Sequence, residues 1–74
     1  MPYNYSKLIG KIIEKFGTRA AFAEKMGLSE KSLSAKLHNQ RAFKQPEIAN
    51  AISLLEIDKA DLSDYFFTPF VQRD

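Results

Sequence analysis

Residues 18–37 read TRAAFAEKMGLSEKSLSAKL, and this stretch decides the fold. Thr18 is a good N-cap, able to accept a hydrogen bond from the first turn of a helix that starts behind it. Ala20, Phe22, Ala23 and Met26 are the apolar members of that helix, and Gly27 ends it because glycine takes the left-handed conformation at no steric cost. Leu28 leads into Ser29, a second capping residue, followed by Glu30 where the helix dipole favours an acid. Leu33 and Leu37, four residues apart, form the buried edge of the next helix, and Lys31, Ser34, Ala35 and His38 occupy its other face. The stretch predicts two short helices joined by a tight turn.

Upstream, Tyr5, Leu8, Ile9, Ile12, Ile13 and Phe16 fall on one stripe with Lys7, Lys11, Glu14 and Lys15 away from it, the period of an amphipathic helix. Asn4 or Ser6 caps its start and Gly17 closes its end. Downstream, residues 39–44 have no period and read as a polar loop. Pro46 in a first turn then opens a fourth helix with Ile48, Ala49, Ile52 and Leu55 on one face, ending near Glu56. Asp58 caps a short fifth helix through Asp61, Leu62 and Tyr65, with Pro69 beyond its end. Nothing alternates as a strand does. The expected fold is all-α: a single domain over residues 1–74, a bundle of five short helices with its core in residues 4–66 and an aromatic tail in 67–74.

A chain of 74 residues has room for one small core. It has no Cys, which fits a reducing cytoplasm, no apolar run long enough for a membrane span, and no signal-peptide stretch in Met1 to Ser6. Charge is unevenly spread. Met1 to Lys44 holds nine basic residues against three acids, net +6, and Gln45 to Asp74 holds two against six, net −4. That polarity suits a domain that shows a polyanion its basic side, and solvated helix faces account for it equally well.

Two helices with a Gly-containing turn and a capping Ser form the helix-turn-helix arrangement, which presents a helix N-terminus to a DNA major groove. The spacing of Ala23, Gly27, Leu28 and Leu33 resembles, without a gap, that of the lambda-type repressor and Cro helix-turn-helix family. The likeness covers about Asn4 to Ile57. Beyond it, YSKLIGKIIEKFGT, MGLSEKSL and FKQPEI resemble small Cro-like regulators of temperate phages of Gram-positive bacteria, including the antirepressor type called Mor, modulator of repression. The resemblance implies roles for individual residues. Arg19 falls where the family contacts a phosphate, and Glu30, Lys31, Ser34 and Ala35 fall where it reads base edges, flanked by Ser29 and Ser32 near the backbone and His38 at the helix end. Thr18, Lys36, Asn39, Gln40, Arg41 and Lys44 are then candidates for backbone or phosphate contacts. Taken singly, Lys31 and Lys36 fit solvated helix faces as well as DNA ligands; their place in the motif raises them.

Two residues depart from the family's pattern. Glu30 stands where a long amide or basic residue is common, and a carboxylate facing phosphates is repelled unless it accepts from a cytosine amine. Ala35 offers only a methyl. The tail also has two readings. Leu62, Tyr65 and Phe66 close the bundle and the rest frays, or Phe67, Phe70 and Val71 form a patch that pairs with another chain, as in a homodimer.

His38 is the only histidine, and no Gly-rich phosphate loop, paired carboxylates or metal-ligand spacing appears, so no enzyme, metal, cofactor or small-molecule ligand is expected. The leading expectation is a phage-type transcription regulator of a lysis/lysogeny switch that binds double-stranded operator DNA through its third helix. The rival is an antirepressor that puts the same surface on the DNA-reading domain of a phage repressor, where Glu30 would meet basic residues the repressor otherwise gives to phosphates.

Overall fold

The first four expected helices form where expected, whereas behind Asp58 a 3-10 turn comes first and the fifth helix begins only at Leu62. A computed structural model describes residues 3–69. In it α1 spans Ser6–Phe16, α2 Arg19–Met26, α3 Glu30–Leu37 and α4 Gln45–Leu55, and a 3-10 turn at Lys59–Asp61 runs into α5, Leu62–Phe66. The fold is all-α, as expected. Asn4 Oδ1 accepts from Ser6 N at 2.9 Å, Thr18 Oγ1 from Ala21 N at 3.1 Å, Ser29 Oγ from Ser32 N at 3.0 Å, and Asp58 Oδ1 from Ala60 N at 3.0 Å. Each of these satisfies an amide that the helix ladder leaves without a partner. Pro46 lies in the first turn of α4, and Glu47 Oε1 accepts from Lys44 N at 2.9 Å. Gly27, at φ +73°, closes α2.

The core lies between α1, α2 and the later helices: Leu8, Ile12, Phe22, Leu33, Leu55 and Phe66 are its largest fully buried side chains. Burying such a side chain stabilises by about 1.5–3 kcal/mol, which is how so small a chain holds together. α1 packs on α2, α4 and α5, and α2 also packs on α3 and α4. Leu33 and Leu37 seat α3 as expected.

Three apolar assignments are corrected. Ala20 and Ala49 are exposed, and Ala51 takes the buried place on α4 beside Leu55. Ile13, expected on the α1 stripe, is 44% exposed, because the stripe is wider than the surface its neighbours cover. The loop before α4 is also less polar than expected: Phe43 meets Tyr5 and Phe66 edge-on, with ring centroids 5.4 and 5.3 Å apart.

The tail does not fray directly after Phe66. Asn4 N donates to Thr68 O at 2.8 Å, and Tyr3 forms a single antiparallel bridge with Pro69. Thr68 Oγ1 donates to Asp64 O at 2.7 Å. Phe67 is 44% exposed and leans edge-on against Tyr3. Phe70 and Val71, the rest of the expected patch, lie outside the described residues.

Candidate interaction site

The face of α3 expected to carry function borders a shallow open groove of about 800 Å³. Ser29, Glu30, Lys31, Ser32, Ser34 and Ala35 form one wall, and Gln40 and Arg41 of the following loop form the other. Glu30 and Lys31 are exposed, whereas Ser32, Ser34 and Ala35 are half-buried. The Gly27 turn and the Ser29 cap hold the start of α3 open to solvent, with Leu33 and Leu37 anchoring its back. The groove thus joins eight of the expected site residues and leaves out Thr18, Arg19, Lys36, His38, Asn39 and Lys44. Thr18 is exposed at the start of α2 and Arg19 half-buried behind it. His38 is exposed at the end of α3, its Nδ1 2.8 Å from Ser34 O.

Two of the expected phosphate contacts are engaged within the chain. Lys36 is buried, with 5% of its surface exposed, and its Nζ sits 3.0 Å from Glu47 Oε1 and donates to Ala42 O at 3.2 Å. An ammonium held there is not offered to a phosphate. Its task is to tie α3, the loop and the first turn of α4 together. Burial pushes the Glu47 carboxyl up, but the Lys44 amide and the Lys36 ammonium outweigh that and hold it below the usual carboxylate range. Asn39, at φ +63°, accepts from Tyr3 N at 2.9 Å and donates to Tyr3 O at 2.8 Å, so its amide clasps the N-terminal segment. Glu47 and Tyr3 escaped the sequence reading; an acid in the first turn after Lys44-Gln-Pro was the one available signal.

The charge asymmetry is partly consumed within the chain. Lys7 pairs with Asp64 at 3.7 Å, Lys15 with Glu56 at 3.2 Å and Lys36 with Glu47, so the acidic half folds back onto the basic half. Lys11 pairs with Glu14. Exposed pairs add little stability, but they remove positive field from α1. Among the described residues, Arg19, Lys25, Lys31, Arg41, Lys44 and Lys59 are the lysines and arginines with no ion pair.

A second, smaller groove of about 290 Å³ lies on the other side of Arg41. Tyr3, Tyr5, Phe43, Phe66 and Phe67 make its walls. Burial, and the neighbouring Tyr3, push the Tyr5 phenol up and keep it neutral. Among the described residues no group of three or more His, Cys, Asp and Glu side chains is placed to hold a metal, and no helix is long and apolar enough to cross a membrane.

A family model described as "Protein of unknown function (DUF739)" matches residues 1–69. The chain belongs to this family. It is also similar to a solved structure, the solution structure of the modulator of repression (MOR) of the temperate bacteriophage TP901-1 from Lactococcus lactis, with 46% identity, 97% of each chain covered and a TM-score of 0.80. The expected resemblance to Mor-type phage regulators therefore holds over almost the whole chain, beyond the 4–57 span on which the sequence motifs rested. No curated protein matches.

Proposed function

We propose that this member of the DUF739 family is an antirepressor-type regulator whose α3 groove docks on the DNA-reading domain of a phage repressor and keeps it from its operator. The observation that carries this reading is the 46% identity, over 97% of both chains, to a protein described as a modulator of repression. The site's chemistry agrees with it. The groove mixes an acid, Glu30, with the cations Lys31 and Arg41 and with small hydroxyl side chains, a pattern suited to a protein surface of mixed charge. A phosphate backbone asks for a run of free cations; with Lys36 buried and Lys7, Lys11 and Lys15 paired, the groove itself keeps two, Lys31 and Arg41.

Direct operator binding is the second reading, favoured by Arg19 and Lys31, which carry no ion pair among the described residues. One gel-shift experiment separates the two. A repressor–operator complex is titrated with the protein: release of free operator supports the antirepressor, and a new band of protein on operator alone supports the DNA reading. An unchanged repressor–operator band at saturating protein overturns the proposal.

A further inference from the structure

We propose that Arg41 and the aromatic groove beside it form a second contact for the repressor domain, one that takes a large apolar side chain with a carboxylate close to it in the partner's chain. This inference rests on the antirepressor reading. Arg41 stands on the ridge between the two grooves and lines both, so a partner seated on α3 reaches the aromatic groove without leaving the surface. Among the described residues no acid pairs with it, and a free guanidinium offers a planar fork that matches a carboxylate.

The loop under it is held on both sides. On one, the carbonyl of Ala42 accepts from the buried Lys36 ammonium, which Glu47 fixes in turn. On the other, Phe43 is wedged edge-on between Tyr5 and Phe66. A backbone already fixed leaves only the side chain to be ordered on binding, which favours affinity.

The apolar groove decides between a carboxylate and a phosphate as the anion. Five of its nine lining residues are aromatic and its volume of about 290 Å³ is enough for one or two large side chains, a better match to an apolar side chain than to a charged sugar–phosphate backbone. Phe67, 44% exposed at its edge, is the wall that insertion would cover.

The test measures the affinity of the full chain for the purified DNA-reading domain of the TP901-1 repressor by isothermal titration calorimetry. Arg41→Gln and Phe67→Ser, each checked by circular dichroism for an intact fold, are expected to weaken binding about tenfold each. The double variant should lose less than the product of the two, because both act on one inserted segment. A Kd within about twofold of the parent for either variant overturns the proposal; if Lys31→Ala still weakens binding, the antirepressor reading stands without it. If the parent chain does not bind this domain, the antirepressor reading loses its support and a second probe decides the inference. N-acetylphenylalaninate, which joins a ring to a carboxylate, is titrated and followed by NMR. Shifts at the Arg41 side chain and the Phe43 and Phe67 rings, absent with the neutral N-acetylphenylalanine amide, support the site, and no shifts overturn it. Duplex DNA whose affinity falls with Arg41→Gln while repressor affinity is unchanged assigns the guanidinium to phosphate and also overturns it.

Discussion

Glu47→Ala should cost far more stability than its place near the surface suggests. The carboxylate has two partners, the Lys36 ammonium at 3.0 Å and the Lys44 amide at 2.9 Å. Losing the first leaves a cation that is 5% exposed with only the Ala42 carbonyl for company. Breaking a buried pair in this way costs about 3 kcal/mol, taking the low end of the range because Glu47 retains 18% side-chain exposure. Losing the second opens the first turn of α4, for about 1 kcal/mol more. A chain of 74 residues is expected to hold roughly 4–11 kcal/mol in all, so the variant should lie close to unfolding. The double variant Lys36→Met/Glu47→Gln behaves differently. Met fills the space of the lysine stem, Gln still accepts from Lys44 N, and only the Ala42 carbonyl loses a donor, so it should fall within about 1 kcal/mol of the parent. Urea unfolding followed by circular dichroism measures both. A loss below about 1 kcal/mol for Glu47→Ala, or equal damage in the double variant, would refute the reasoning that a buried uncompensated charge sets the cost.

The same pair predicts the response to acid. Because the Glu47 carboxyl is held below its usual range in the native state, the unfolded chain takes up the proton first. Its contribution is fully present above about pH 4.3 and is lost as pH falls through the lowered native value. Urea midpoints measured from pH 7 down to 3 should therefore drop more steeply for the parent than for Glu47→Gln. The Asn39 clasp separates backbone strain from hydrogen bonding. Asn39→Gly keeps the positive φ and loses only the two bonds to Tyr3, about 1–3 kcal/mol. Asn39→Ala adds a left-handed penalty of roughly 1 kcal/mol, and thermal unfolding should rank the two in that order.

The helices, their boundaries and the presented face of α3 were legible in the sequence because each depends on neighbours in the chain. Thr18, Ser29 and Asp58 bond to amides two or three residues away, Gly27 turns the backbone by its own freedom, and Leu33 and Leu37 share a face by the helical period alone. What only the tertiary structure decided is which polar side chains on and behind that face remain available. Lys36 looked like any cation on a helix until α4 brought Glu47, eleven positions further along, within 3.0 Å of it. Asn39 looked like a loop donor until the N-terminal segment crossed it 36 positions away, and Arg41 gained an apolar groove from residues at both ends of the described chain. The physical reason is one of range. Capping and periodicity act within a turn or two, whereas desolvation and ion pairing depend on what the finished fold places alongside, so the sequence determined where the face lies and the packing determined which of its charges are free.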